Sequence, residues 1–452
     1  MGLRKRFRDF RDWCPQPPDR LPTKIKRYSM PIAAVFTVTL IFSVSFFVFS
    51  SSVMSHPSLP IVGTLDFGGA QNGTNVSGNL TSDTTWTQAG SPYTLVGSVI
   101  VNNGVTLTIQ AGVTVNLQLN DLQVNGTLKA QGSNSNNVVF VAAQSDDRPY
   151  EGSITSDSSR CVIENAIINS TYIWSYNSVI TDNDTFDGTT IQVMGGSAKI
   201  SDNLLVNSEL VCSYAISNGL SVISNNTIVG VGIGVFGGSV VISHNDMTGG
   251  GEFGISLGTA TTIISDNTIS SCGIYGSGGT YTIERNLIEN NDIAIEMFAA
   301  SPIIEKNTII NNSIGLNISN STVYASTATI TNNNIYNNSI NNIYLGGLTA
   351  NLQIPASQTT ANNINAAYNW WGTTNTQAIN QTIRDFKNDS YVGTVTFTPF
   401  LNTPNPQAVP DPNAPIPNLS PTPMLTELVA PVVAIALVVG IGLIVYFKKY
   451  RR

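Results

Sequence analysis

The feature that most constrains this chain is a short phrase that recurs nine times in the middle of the sequence. Each copy has Val or Ile, two mostly polar residues, an asparagine, any residue and then, in eight copies, Ile, Leu or Met. The asparagines follow one another at intervals of 18 to 26 residues and are Asn165, Asn183, Asn203, Asn226, Asn245, Asn267, Asn286, Asn307 and Asn333. Self-similarity at a period near twenty indicates a solenoid built of stacked coils.

The phrase itself predicts a strand, a one-residue corner and another strand. Val and Ile favour strands, and asparagine is the residue other than glycine that best tolerates a left-handed backbone. We therefore expect the asparagine at the corner. Coils stacked at about 4.8 Å would bring the nine amide side chains into register as a buried structural ladder. A β-sandwich is the alternative, but that fold does not require asparagine at the same position of nine successive repeats.

Two flanking segments extend the pattern. GSVIVNNGVTLTIQAGVTVNL begins at Gly97, and YNWWGTTN begins at Tyr368. With the repeat they resemble the right-handed parallel β-helices of NosD-type and carbohydrate-binding/sugar-hydrolase proteins, which have the pectin-lyase-like fold. The resemblance implies an all-β solenoid over residues 84–401, and Trp370 and Trp371 are expected to cap its open end. The NosD-type likeness implies copper delivery, but the segment lacks Met, His and Cys clusters, so we expect no metal and no cofactor.

The ends of the chain predict two membrane anchors. Residues 31–53 and 425–447 are apolar and long enough to cross a bilayer as helices. The first would be a signal-anchor or, alternatively, a cleaved signal peptide. The remaining segments are predicted as a basic cytoplasmic tail (1–30), a polar linker (54–83), a proline-rich stalk that holds the β-helix off the membrane (402–424) and a second basic tail (448–452).

Charge is divided unevenly along this chain. The full sequence has 21 basic and 28 acidic residues. Thirteen basic residues lie in the two tails, which leaves the segment between them with 8 basic and 25 acidic residues and a net charge of −17. Such a segment is unsuited to nucleic acid and repels polyanionic sugars. The positive-inside rule places both tails in the cytoplasm and the β-helix outside the cell membrane.

Residues that precede the ladder asparagines form the first candidate site. We expect Asp182, Asp202, His244 and Asp266 on one face, as a catalytic or Ca²⁺ site or as a solvated charged stripe in which Asp266 pairs with Arg285. The stripe is favoured, because the chain has only two histidines and lacks paired-carboxylate signatures. The hydroxyls one place earlier are expected to be exposed, either as a sugar-binding surface or, as is favoured, as ordinary residues of exposed strands: Thr181, Ser201, Ser224, Ser243, Ser265 and Thr331.

These observations predict a membrane-anchored cell-surface β-helix protein that binds carbohydrate or other envelope components. We assign no residue of this protein to catalysis. A polysaccharide-active enzyme on the same fold is the alternative, and a role in the assembly of another envelope protein is a third. Sequons in the linker, such as Asn75 and Asn79, predict glycosylation. Cys161, Cys212 and Cys272 are expected to be buried thiols, because no two lie in adjacent coils.

Overall fold

A computed structural model describes residues 73–143, 152–157, 161–176, 179–213, 220–230, 232–249, 253–319, 326–346 and 363–419. Contacts divide the chain into two units, 1–68 and 69–452. The first unit lies wholly outside the described residues. So do both predicted membrane segments and both predicted basic tails. No helix in the described ranges is long and apolar enough to span a bilayer.

The described part of the second unit is a right-handed parallel β-helix of about eleven turns. Its strands pair in parallel, and each regular coil contributes three of them. The first strands of the coils form a 14-stranded sheet: Thr84–Trp86, Thr106–Ile109, Thr127–Gln131, Cys161–Glu164, Val179–Asp182, Lys199–Ser201, Leu220–Ser224, Ser239–Ser243, Thr261–Ser265, Thr280–Glu284, Ile303–Glu305, Thr329–Thr331, Ile364–Asn365 and Val395–Thr396.

The other strands form a 25-stranded sheet in two series. The second strands of the coils are Thr114–Gln118, Val138–Ala142, Ala166–Asn169, Thr185–Asp187, Leu204–Val206, Thr227–Val229, Asp246–Thr248, Thr268–Ser270, Leu287–Glu289, Thr308–Ile310 and Asn334–Tyr336. The third strands are Leu122–Val124, Ser153–Ser156, Tyr172–Ser175, Thr190–Val193, Glu209–Ser213, Ile233–Phe236, Phe253–Leu257, Gly273–Ser277, Ile293–Phe298, Ile314–Ser319, Asn341–Gly346 and Ile383–Arg384.

The β-helix begins about ten residues earlier than predicted. Thr74–Leu80 pairs in parallel with Tyr93–Val101, which runs through the second and third strand positions of the next coil. The sequence TNVSGNL is mostly polar and mostly exposed, so it has the composition of a linker. Its place in the sheet comes from backbone hydrogen bonds, which composition does not reveal.

Inward-facing aliphatic residues fill the core in vertical stacks. Ile242, Ile264, Ile283 and Ile304 pair coil upon coil and have no exposed surface. Each such side chain contributes about 1.5 to 3 kcal/mol on burial. Cys161, Cys212 and Cys272 are buried and unpaired, as expected. Burial raises the pKa of each thiol to about 12, so these groups stay protonated.

The left-handed corner lies one residue earlier than predicted in seven of the nine repeats. There the residue before the asparagine has φ between 52° and 59°, and it is Asp202, Asn225, His244, Asp266, Arg285, Lys306 or Asn332. The asparagine follows the corner and turns inward. Because the left-handed residue points its side chain away from the core, it tolerates almost any polar residue.

The segment predicted as a free stalk packs against the β-helix between Asn405 and Asp411. Between Asn405 and Asp411 it makes six hydrogen bonds with the ladder corners, and Ala408 is fully buried. Turns that begin at Asn405 and Asp411 interrupt this segment, so it is not extended throughout, and its polar groups find partners along the stack. A short helix, Thr376–Gln381, precedes it, and the Asn375 side chain caps this helix. A 3-10 turn, Gln88–Gly90, lies near the start.

Candidate functional site

The asparagine ladder is internal and structural. In Asn245 both the backbone N–H and Nδ2 donate to Oδ1 of Asn267, each at 2.9 Å, and Nδ2 also donates to the Ile223 carbonyl. The same pattern repeats at Asn226, Asn267, Asn286, Asn307 and Asn333. Asn369 of the YNWWGTTN segment ends the run. With their side-chain groups bonded within the stack, these asparagines have nothing left to offer a ligand.

Asn165 and Asn183 are exceptions to the predicted ladder. Both have left-handed φ themselves, and Asn183 is exposed, where its Nδ2 donates to Oδ1 of Asn165. The shift of one residue turns Asp184 inward instead, so Asp184 occupies the ladder position below Asn203. Burial raises the pKa of Asp184 to about 8. The hydrogen bond that its carboxyl accepts from the Ala166 amide lowers the pKa, but by less.

The four residues of the predicted ligand face do not form a joint site. Asp202, His244 and Asp266 are left-handed corner residues, whereas Asp182 is the last residue of its strand and is in register with Ser201. Asp266 is buried and accepts a bidentate pair of bonds from Arg285, at 2.9 Å each. Asp182 accepts from Ser201 and lies 3.9 Å from the Lys199 ammonium, while Asp202 is exposed. The His244 Nε2 atom contacts the Asp411 carbonyl. No group of His, Cys, Asp and Glu in the described ranges is arranged to hold a metal ion.

The predicted hydroxyl surface is wrong. Five of its six members, Thr181, Ser201, Ser224, Ser243 and Ser265, are at most 2% exposed. Ser201, Ser224, Ser243 and Ser265 come directly before the left-handed corner, whereas Thr181 lies two residues before it and is in register with the core residue Ile200. A ligand therefore cannot reach these hydroxyls in this structure.

The third strands carry a surface that the sequence analysis did not identify. Strand register aligns one outward residue per coil, and we call this set the outer row. Its members are Thr155, Trp174, Gln192, Val211, Gly234, Ser256, Tyr275, Glu296, Asn317, Tyr344 and Arg384. All are half-buried except the buried Gly234, and both strand neighbours of most members point into the core.

Aromatic rings lie along this row at several points. Trp174 stacks on Tyr176 with the ring centroids 5.8 Å apart, and Tyr275 lies 5.3 Å from Phe253. The ring of Phe236 leans over Gly234, where a β-carbon would come within 2.9 Å of it. Glycine at this place therefore lets an aromatic ring lie close to the sheet.

Polar groups with fixed partners separate these rings. Asn317 Nδ2 donates to Glu296 at 2.9 Å, and the Arg384 guanidinium lies 4.4 Å from the centre of the Tyr344 ring. Burial raises the pKa of Tyr275, and the charge of Glu296 adds to this effect. The phenol stays protonated at neutral pH and is able to donate a hydrogen bond.

The outer row combines flat aromatic faces with hydrogen-bonding groups at a repeat of about 4.8 Å. Sugars present the complementary surfaces, because their C–H faces stack on rings and their hydroxyls bond to amides and carboxylates. Within the described third strands, Glu296 is the row's single carboxylate. The two-carboxylate arrangement of glycoside hydrolysis is therefore not formed along this row.

Sequence reasoning missed the outer row because its members share no residue type. Their alignment follows from strand register across coils of unequal length, and successive members of the row are 18 to 40 residues apart in the sequence. The sequence did contain a signal: third strands such as FGISL and IGLNIS place a polar residue between two inward aliphatic ones.

The C-terminal end of the described stack contains both predicted cap residues. Trp371 is 3% exposed and meets Phe397 edge-on, with ring centroids 6.4 Å apart. Trp370 is half-buried, and its backbone amide and carbonyl bond to Asn333 and Ile335.

Comparison with known proteins agrees with the fold. A family model described as the right-handed β-helix region matches residues 222–383. The chain thus has a right-handed parallel β-helix of the pectin-lyase-like kind. No curated protein matches the sequence.

Two solved structures resemble the chain at 10% identity. The periplasmic alginate epimerase AlgG, in a mutant form, has a TM-score of 0.37, and the match covers 67% of this chain and 76% of that one. The PL6-family alginate lyase AlyGC has a TM-score of 0.22, with 71% of this chain and 57% of that chain covered. At these scores neither likeness bears on function.

Proposed function

We propose that this chain is a cell-surface β-helix protein that binds neutral glycans along its outer row without turning them over. The observation that carries the proposal is the alignment of Trp174, Tyr275 and Tyr344 with Gln192 and Asn317 on one strand face. Rings and amides in one row offer stacking and hydrogen bonds together, which is the combination that a sugar chain requires.

Charge favours a neutral glycan over a uronate. The segment between the two tails has a net charge of −17. Within the outer row, Glu296 is acidic and the one cation, Arg384, lies at the C-terminal end against Tyr344. A polyanion would therefore meet net repulsion over most of the row.

The test is binding of the full chain in detergent micelles to an array of neutral and acidic glycans. We expect Trp174→Ala and Tyr275→Ala each to weaken binding about fivefold or more, since each removes a stacking face. Tyr391→Ala is the matched control, because Tyr391 is 48% exposed and lies outside the row. Equal affinity in all four proteins would refute the outer row as the binding surface.

The same samples address the enzymatic alternative. Tyr275 and Glu296 are adjacent in the row, and one is a proton donor while the other is a carboxylate. Release of shorter or modified glycan by the wild type, lost in Glu296→Gln, would identify a polysaccharide-active enzyme instead.

Attachment to the membrane is part of the same proposal. Residues 31–53 and 425–447 would anchor the chain, with both basic tails in the cytoplasm. The full chain should remain with the membrane fraction after carbonate washing, and external protease should remove the β-helix from intact cells. Release by carbonate would refute the anchors and leave the glycan proposal unaffected.

A further inference from the structure

The described part of the proline-rich segment repeats one local structure twice. We call residues 402–414 the strap. In NPQA the Ala408 amide donates to the Asn405 carbonyl, and in DPNA the Ala414 amide donates to the Asp411 carbonyl. In both turns the Asx side chain accepts from the amide two residues on, at 3.0 and 2.9 Å. Proline at the second position favours such a turn.

The first turn is held by the coil of Asn333. The Asn405 amide donates to Asn334 Oδ1 at 2.7 Å, and Asn334 Nδ2 returns a bond to the Asn405 carbonyl at 3.0 Å. Nδ2 of Asn405 donates to the Asn332 carbonyl at 2.6 Å. One coil along, the Thr308 hydroxyl donates to the carbonyl of the buried Ala408.

The second turn is held by the coils of Asp266 and His244, which lie two and three coils beyond the coil of Thr308. The Asp411 amide donates to Asp266 Oδ1 at 3.1 Å, and the Asp411 carbonyl contacts His244 Nε2 at 3.2 Å. Neighbouring coils are stacked about 4.8 Å apart, and a turn of four residues covers about one such spacing. Three extended residues cover about 9 Å, which is about two coil spacings. The six-residue repeat of the strap therefore matches three coils of the β-helix.

The groove that holds the strap is complete without it. The ladder asparagines Asn245 to Asn333 bond to one another, so they lose no partner when the strap leaves. Most strap side chains are exposed, and Ala408 is the one that is fully buried. Few apolar contacts hold the strap, and water can replace its hydrogen bonds. Residues 402–404 are exposed between Leu401, which bonds to Asn369, and Asn405, so they allow the strap to swing out as a unit.

We propose that the strap of one copy fills the groove of a second copy and thereby joins two molecules. The groove recognises an Asx-Pro-x-Ala turn, an extended spacer and a second such turn, and every copy of the chain carries both the groove and the segment that fits it. Exchange of an identical element needs no new contact, because the second copy makes the same bonds in trans.

Two complementary variants of the full chain in detergent test this exchange. Ala408→Arg places a long side chain where no space exists, so its strap cannot dock while its groove stays intact. Thr308→Val with Asn334→Ala removes three of the bonds offered by the groove and leaves the strap intact. Melting temperatures close to the wild type confirm that both proteins are folded.

Mixing the two variants should give a one-to-one complex by native mass spectrometry, at least tenfold more abundant than dimers of either variant alone. A synthetic peptide of residues 402–415 should compete for the complex, whereas a scrambled peptide should not. Monomers in the mixture, or equal dimer formation by each variant alone, would overturn the proposal. If a variant unfolds, binding of the labelled peptide to Ala408→Arg alone decides, and no binding overturns it. Glycan binding through the outer row is a separate property and need not change in any of these proteins.

Discussion

The backbone amide of Asp184 donates to Oδ1 of Asn203 at 2.9 Å, which makes a carboxylic acid one member of a ladder otherwise built of asparagines. Asp184 is 2% exposed, its Oδ1 accepts from the Ala166 amide, and its Oδ2 has no hydrogen-bond partner among the described residues. The raised pKa keeps this carboxyl protonated below about pH 8, so the ladder contains a neutral acid whose Oδ2 lacks the bond that an asparagine Nδ2 makes to the next coil elsewhere.

This acid makes stability depend on pH. Its pKa is about 8 in the folded chain, against the ordinary value of 3.8, so the folded state binds more protons between these values. Stability contributed at this site falls as pH rises from about 4 to about 8 and is then constant. We expect the wild type to be roughly 4 kcal/mol less stable at pH 8 than at pH 5 because of this group.

Asp184→Asn should remove that slope and raise the melting temperature at pH 8. Asp187→Asn, at an exposed position three residues further on, is the control and should leave the slope in place. Parallel pH profiles for wild type and Asp184→Asn would contradict the assignment of a buried neutral acid.

Substitution in the middle of the ladder tests the role of the asparagines. Asn245→Leu removes the donor to the Ile223 carbonyl and the Oδ1 that accepts from the backbone N–H and from Nδ2 of Asn226. We expect a loss of about 3 to 5 kcal/mol, measured as a lower midpoint of thermal unfolding. Asn75→Leu on an exposed strand should change little, and a similar shift in both variants would argue against a buried ladder.

Close packing between third strands predicts intolerance of even a methyl group at Gly273. A β-carbon there would lie 2.0 Å from the Ile293 carbonyl oxygen of the next coil, so the backbone must move. Gly273→Ala should lower stability by about 1 to 3 kcal/mol. At Gly97 the nearest atom is the Ser77 β-carbon at 3.3 Å, and Gly97→Ala should be tolerated. Calorimetry of the two variants should separate them clearly.

Two aspartates at or next to the corners, Asp266 and Asp182, should differ sharply in their contribution to stability. The Asp266 side chain has no exposed surface and bonds to Arg285, whereas Asp182 is 38% exposed and lies 3.9 Å from Lys199. Asp266→Ala should cost about 2 to 3 kcal/mol and also loosen the strap, because the Asp411 amide loses its acceptor. Asp182→Ala should cost less than about 1 kcal/mol.

Limited proteolysis of these two variants would measure how readily the strap leaves the groove. We expect faster cleavage near Asp411 in Asp266→Ala than in the wild type, and an unchanged rate in Asp182→Ala. Equal rates in all three proteins would show that Asp266 does not retain the strap.

Much of the fold was readable from the sequence. The spacing of Asn203 to Asn333 predicted stacked coils with an internal ladder, because a repeated local phrase needs only its own backbone geometry to specify a corner. The pairing of Asp266 with Arg285 followed from the same spacing, since residues at equal phase lie one coil apart.

Other features depended on the tertiary structure. A single-residue shift at Asn183 exchanges the exposed and buried positions, and no local propensity distinguishes Asn183 from the adjacent Asp184. The outer row arises from strand register across coils of unequal length, and the strap meets coils that precede it by about 70 to 170 residues in the sequence. Sequence periodicity thus determined that this chain stacks into a β-helix. Which side chains share a face was decided by long-range packing, because contacts between distant segments do not produce a periodic pattern in the sequence.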